Sequence, residues 1–224
     1  MKYDNITQGT FLSRPNRFIA QVEIEGTVHT CHVKNTGRCK ELLVKGARVI
    51  LQESNNPDRK TKYDLISVYK GNRLVNMDSQ APNKIFGEYI SKLFKDVTCV
   101  RPETVYGSSR FDFYIEADGK RLFAEVKGVT LESDNEAMFP DAPTERGVKH
   151  IIELCKAVEE GYEAYIVFII QMKGIKSFSP NDKTHPQFGD ALRSAKKAGV
   201  NIIALDCNVI EGEVTAENIV NVKL

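Results

Sequence analysis

The first third of the chain runs in short stretches where hydrophobic and polar residues alternate. Segments 17–24, 27–33, 47–52, 63–69 and 73–77 are rich in Val, Ile, Tyr and Thr, with turns marked by Glu25-Gly26, residues 55–58 and Gly71-Asn72. A polar lead precedes them, and one helical turn is expected near residues 38–43. Five short strands around one turn predict a small barrel of the OB type. After a linker at 79–83 the period changes. Ile85, Phe86, Tyr89, Ile90, Leu93 and Phe94 fall on one face of a helix over 82–94, and a strand is expected at 97–106.

Between residues 110 and 127 the pair Asp118-Gly119 separates two alternating runs, the signal for a two-residue type I′ hairpin turn. Counting outward from that turn sets Glu116 opposite Arg121, Tyr114 opposite Phe123 and Asp112 opposite Glu125. Lys127 then shares the face of the two acids, while Phe111, Phe113, Ile115, Leu122, Ala124 and Val126 form the other face. Two carboxylates directly across a strand pair repel unless something positive lies between them. A divalent cation such as Mg²⁺, which takes carboxylate oxygens and keeps several waters, is one answer. A solvated face on which Lys127 merely balances Asp112 and Glu125 is the other. Glu88, outside the apolar set of its helix, is a further candidate to reach the acids.

Beyond the hairpin, Val148, Ile151, Ile152, Cys155 and Val158 mark a helix over 143–160, stopped by Gly161. The unbroken apolar run 164–170 reads as a central buried strand ending at Gln171, a second candidate near the acids. A helix at 188–198 ends at Gly199, a strand follows at 200–205, and the tail from Val209 reads as an edge hairpin. Strand, helix, strand in that order implies a parallel, right-handed crossover. The fold class is thus α/β (α+β): an OB-like barrel over 1–80, then a mixed-sheet α/β domain over 81–224.

Composition narrows the setting. With 224 residues, 42% apolar and 27% charged, the chain can bury a real core. Its longest apolar run is too short for a bilayer and its start, MKYDNITQGT, lacks a signal-peptide core, so the cytoplasm is expected and no membrane partner. Five widely spaced cysteines without a C-x-x-C point to reduced thiols, and His29, Cys31, His32 and Cys39 fit zinc spacing poorly. The net charge of +1 hides a division. Residues 1–75 carry 13 Lys or Arg against 7 Asp or Glu, a net of +6, and the remainder carries 18 against 23, a net of −5. A basic module suits a polyanion, and local acidity suits a cation.

Phosphate-holding residue types gather in SRPNRF, as Arg14, Asn16 and Arg17, and in VKNTGRCK, as Lys34, Asn35, Thr36, Arg38 and Lys40. A solvated loop is the alternative there. Arg146, Lys149 and His150 lie in the first two turns of helix 143–160, where basic side chains oppose the helix dipole. An anion would explain them, as would a surface position; Arg110, beside Asp112, is grouped with them.

The order helix, three strands, helix, strand, with Asp112 on one strand and Glu125-Val126-Lys127 on the next, resembles the PD-(D/E)xK nuclease superfamily. The chain as a whole resembles the sugar fermentation stimulation protein A family of prokaryotes, through RPNRF at 14–18, NTGR at 35–38, RKTKY at 59–63, SRFDF at 109–113, EVKGVTL at 125–131 and FPDAPTERGVKH at 139–150. These resemblances imply DNA as the partner, a link to expression of sugar-utilisation genes, and a nuclease-like second part. They also imply a Mg²⁺ or Mn²⁺ site in which Asp112, Glu125 and the Val126 carbonyl are ligands and Lys127 positions water for phosphodiester hydrolysis. Two functions follow: a DNA nuclease largely indifferent to base sequence, or a non-catalytic DNA-binding regulator on a nuclease scaffold. No helix-turn-helix signature supports sequence-specific repression, and no Gly-rich loop supports a small phosphorylated ligand. A homodimer is compatible with the sequence.

Overall fold

Residues 1–35 and 37–224 are described by a computed structural model, so Thr36 lies outside the described residues. Its first five strands are β1 (Ile6–Asn16), β2 (Ile19–Ile24), β3 (Thr27–Val33), β4 (Arg48–Glu53) and β5 (Tyr63–Lys70). Antiparallel pairing joins β1 to β2, β2 to β3, β1 to β4 and β4 to β5, and a parallel pairing of β3 with β5 closes the ring. Ala20, Val22, Val33, Leu51, Leu65 and Val68 fill its interior. The result is a closed five-stranded OB barrel.

Its membership differs from expectation in one respect. The polar lead is itself a barrel strand, β1, eleven residues long, and the last expected strand, β6 (Arg73–Asn76), is an extra one appended to β5. β1 is half exposed along most of its length, so it carries few apolar residues. Gly9 interrupts it where a Cβ would meet Val22 Cγ1 at 2.5 Å and the Glu23 carbonyl at 2.8 Å, so the barrel wall needs a glycine there.

The second part begins with α1 (Ala81–Leu93) and the strands β7 (Cys99–Tyr106), β8 (Ser109–Ala117) and β9 (Lys120–Val129). Two short strands, β10 (Leu131–Ser133) and β11 (Glu136–Phe139), lead to α2 (Glu145–Glu159) and β12 (Glu163–Ile170). The chain finishes with β13 (Ser177–Pro180), α3 (Pro186–Lys197), β14 (Asn201–Ile210), β15 (Glu213–Ile219) and β16 (Asn221–Val222). The main sheet runs β15-β14-β12-β9-β8-β7, with β12 parallel to both neighbours as the apolar run implied. Ile85, Phe86 and Ile90 of α1 pack with Phe113, Ala124 and Val167 on one side, and Ile151, Leu154, Phe188 and Leu192 of α2 and α3 pack with Phe168 on the other. A small sheet, β10-β11-β13-β16, lies outside the expected elements because strands of two to four residues carry too little periodicity to see. No helix among the described residues is long and apolar enough to cross a membrane.

The expected linker at 79–83 shrinks to a joint. α1 starts at Ala81, and the fully buried Asp78 just before it accepts hydrogen bonds from the Gln80 amide at 2.9 Å and the Tyr3 hydroxyl at 3.2 Å, with Lys34 Nζ at 2.8 Å. Gln171 Nε2, at the end of β12, donates to Asn76 Oδ1 and to the Asp78 carbonyl. Lys70 and Arg73 reach across to Glu132. Barrel and sheet are therefore locked by buried polar contacts.

On the outer side of the barrel wall, where His32 and Asp64 alternate with the interior residues Val33 and Leu65, Arg59 donates two hydrogen bonds to Asp64, which also faces His32 at 2.9 Å. Burial acts to raise the Asp64 carboxyl, but the bonds from Arg59 and His32 outweigh it and hold it below its ordinary range. Such a group stabilises the fold above its unfolded value, near ~3.9, and loses that contribution as pH falls through its lower folded value. Asp64→Asn is expected to cost about 1.5–3 kcal/mol at neutral pH, with the deficit shrinking below about pH 4, by urea denaturation across pH. A deficit independent of pH would refute the ionic role.

Candidate functional site

The β8–β9 hairpin turns at Asp118-Gly119 and keeps the counted register from Ala117–Lys120 as far as Phe113–Ala124. There the ladder ends. Asp112 does not form the next rung with Glu125; its Oδ2 accepts the Val126 amide at 2.8 Å and its Oδ1 accepts Asn83 Nδ2, from the first turn of α1, at 2.8 Å. The alternation slips with it. Phe111, expected beside Phe113, packs instead against Phe123 at 5.2 Å and Tyr106 at 5.5 Å, on the α2 side, while Phe113 stays on the α1 side. Glu103 of β7, between the Pro102–Phe113 and Thr104–Phe111 pairs, holds φ at 52°, a left-handed conformation at the same break.

Glu125 is 3% exposed, not part of a solvated face. Its Oε1 accepts from Lys127 Nζ at 2.5 Å and from His150 Nδ1, which α2 brings over the sheet. Its Oε2 is buried with no hydrogen-bond partner among the described residues. Burial acts to raise this carboxyl, yet the His150 bond and the Lys127 charge bring it below its usual range, so Glu125 is ionised. Asp112 goes the other way, raised by burial and then by the Glu125 charge. An ionised buried carboxylate with one unused oxygen, beside an acid whose pKa is raised by its neighbour's charge, fits a hard cation. Among the described residues no group of three or more His, Cys, Asp or Glu side chains converges, so the side-chain donors would be these two.

An open cleft surrounds the pair, and Lys127, Arg110, Arg146, Ser79, Asn83 and Glu103 help line it. Arg110 pairs with Glu103 at 3.4 Å, Arg146 Nε lies 3.4 Å from His150 Nε2, and the exposed Lys149 donates to the Ser108 carbonyl in the adjoining depression. His150 is largely buried and supports Glu125 through Nδ1, while its ring also lines both the cleft and the adjoining depression. Glu88 turns instead to the N-terminal ammonium, as its exposed partner at 2.6 Å, and the α1 side chain that reaches Asp112 is Asn83, five residues earlier. Gln171 also faces elsewhere, into the joint with the barrel and a neighbouring cavity. No sequence pattern marks Asn83 or Glu103, since one lies in an apparent linker and the other on a strand with no acidic pattern.

On the barrel, Asn16, Arg17, Arg38 and Lys40 meet around one depression, but not all the expected residues are free to hold an anion. Arg14 sends its guanidinium to the carbonyls of Arg17, Asn35, Gly37 and Arg38 at 2.7–2.9 Å, clamping the loop. Lys34 faces buried Asp78, and Asn35 bonds the Met77 carbonyl and the Gly37 amide. Asn16 Oδ1 accepts the Phe18 amide, leaving Arg17, Arg38 and Lys40 as the exposed cations. The zinc spacing likewise dissolves: His29 packs edge-on against Tyr63 and His32 faces Asp64. Arg14→Ala is expected to lower stability by about 2–3 kcal/mol, and Lys40→Ala by less than about 0.5 kcal/mol, in denaturant melts. Equal effects would contradict this division of roles.

The sequence matches the SfsA N-terminal OB domain over residues 12–77 and the sugar fermentation stimulation protein RE domain over residues 80–213. A sugar fermentation stimulation protein homolog of Desulfitobacterium hafniense is 61% identical over 225 residues, covering 100% of this chain and 99% of the relative. One from Ruminiclostridium cellulolyticum is 59% identical over 226 residues, with 100% of both chains covered. Among solved structures, Pyrococcus furiosus SfsA in complex with Ca²⁺ superposes with a TM-score of 0.91 at 30% identity, covering 100% of this chain and 98% of that one. With both halves matched and relatives aligned from end to end, the chain belongs to the sugar fermentation stimulation protein family.

Proposed function

We propose that this protein binds DNA, largely without regard to base sequence, and presents it to a Mg²⁺- or Mn²⁺-dependent nuclease-type site. The observation that carries the reading is Glu125: buried, fixed through Oε1 by Lys127 and His150, and left with an unused Oε2 beside Asp112. A divalent cation held there would oppose charge on the phosphoryl oxygens and acidify a water. The Ca²⁺ complex of the Pyrococcus furiosus relative supports a hard cation. The chain's own groups supply the positioning. Asn83 and the Val126 amide fix Asp112, His150 fixes Glu125, and Lys127 holds the attacking water by its ammonium. The Val126 carbonyl is the further oxygen donor proposed. Arg110, Arg146 and Lys149 hold the phosphate on one side, and Arg17, Arg38 and Lys40 hold the strand on the other. The proposal includes a link to expression of sugar-utilisation genes, in keeping with a family named for sugar fermentation, and action in the cytoplasm.

A second reading, a non-catalytic DNA-binding regulator, rests on both Asp112 oxygens already having donors and on no third metal-binding side chain converging on Asp112 and Glu125 among the described residues, which favours weak cation binding. Cleavage of labelled linear, nicked and single-stranded DNA with Mg²⁺ or Mn²⁺ separates the two. The wild type is expected to cut, and Asp112→Ala and Lys127→Ala to bind with little change but cut at least about 100-fold more slowly. Affinity is expected to fall about 500-fold from about 50 to about 200 mM salt if about five phosphates are contacted. No cutting with that salt dependence intact would leave the regulator; no salt-dependent binding would remove both readings.

A further inference from the structure

A cavity beside the carboxylate cleft has no part in the chemistry above. It opens between the turn after β9, the segment from Phe139 to Thr144 and the barrel loop at Asn35 and Gly37, with a volume of about 320 Å³. It shares Ser79, Phe139 and Thr144 with the carboxylate cleft, and Gly37 and Ala142 with the depression of Arg17, Arg38 and Lys40. Cations, cavity and carboxylates therefore follow one another along one continuous groove.

The lining differs from its two neighbours. Val129 and Gln171, each 1% exposed, and the buried Pro140 form its innermost surface, and half-buried Leu131, Met138 and Phe139 add apolar wall. No Lys or Arg lines it among the described residues. Gln171 Nε2 is turned away into the joint, while its Oε1 has no donor among the described residues and sits over Gly128, where a Cβ would come within 2.6 Å of it. Asp141, Ser79, Thr130 and Thr144 make the rest of the lining polar, so the cavity offers a flat group an apolar floor and an N–H donor the acceptor Gln171 Oε1, with the Asp141 carboxylate nearer the barrel loop.

We infer that this cavity is a subsite for a single unpaired nucleobase, in a strand whose phosphates lie at the basic depression and at the carboxylates. The inference rests on the DNA reading above and adds a substrate class to it: single-stranded DNA or a locally unpaired nucleotide. A base inside a duplex is stacked on both faces and has its pairing edge engaged, so it cannot reach residues this deeply set. An unpaired base can bury a face against the apolar wall and donate its amino or imino N–H to Gln171 Oε1. Phe139, on the wall common to cavity and cleft, separates the base from the phosphate.

The test is binding of a short fluorescent single strand to the full chain in Ca²⁺, compared with a duplex and with a deoxyribose-phosphate strand of equal length lacking bases. The base-bearing strand is expected to bind about tenfold more tightly than the abasic one, a typical effect of one well-held base. It is also expected to bind more tightly than the duplex. Thr130→Phe, which fills the cavity, and Leu131→Ala, which strips its wall, are each expected to weaken the base-bearing strand several-fold and leave the abasic strand unchanged; circular dichroism checks that both fold. Equal binding of abasic and base-bearing strands with salt dependence retained would overturn the subsite and leave the DNA reading intact. A base preference that persists in both variants would place the base elsewhere and also overturn the proposal. Loss of all salt-dependent binding would instead remove the DNA reading on which the proposal stands.

Discussion

Asp78 is a fully buried carboxylate on which the relation between barrel and sheet depends. Lys34 of the barrel supplies the opposite charge, Tyr3 and the Gln80 amide supply hydrogen bonds, and the adjoining carbonyl receives Gln171 from the central strand. A buried charge is tolerable only when paired and hydrogen-bonded, and removing one partner leaves the other uncompensated. The arrangement therefore holds its neighbours in one geometry. That geometry is what sets Arg17, Arg38 and Lys40 in line with Asp112 and Glu125 along a shared groove.

The carboxylate site follows the same logic with one difference. Both Asp78 oxygens have donors, Oδ1 the Gln80 amide and Oδ2 the Tyr3 hydroxyl and Lys34, whereas Glu125 keeps one oxygen without a donor among the described residues. His150 and Lys127 crowd onto its other oxygen, so the charge is stabilised on one side and left available on the other. The end of the β8–β9 ladder makes this possible. Once Asp112 leaves the rung, it can take the Val126 amide and Asn83, and Phe111 can cross to the α2 side to pack near His150.

Function of the basic residues divides along similar lines. Arg14 and Lys34 lie in the same short motifs as Arg17 and Arg38, yet the first two serve the fold and the second two face outward. A long side chain can reach inward or outward from one backbone position, so residue type alone cannot assign its role. Glu88 and Asn83 make the same point on α1: the charged residue went to the N-terminus and the neutral amide went to Asp112.

The sequence by itself determined the two-part α/β architecture, the Asp118-Gly119 turn and its register to Phe113–Ala124, the three helices and the central parallel strand. Each rests on local periodicity or turn chemistry that neighbouring residues encode together. It also placed Asp112, Glu125 and Lys127 close in space, since a tight turn leaves little choice of partner. Only the tertiary structure decided that β1 completes the barrel, that short strands build a second sheet, that His150 holds Glu125, and that Gln171 lines a cavity instead of joining the acids. Those outcomes depend on which distant elements pack together, and a buried polar side chain takes whatever partner that packing brings within about 3 Å.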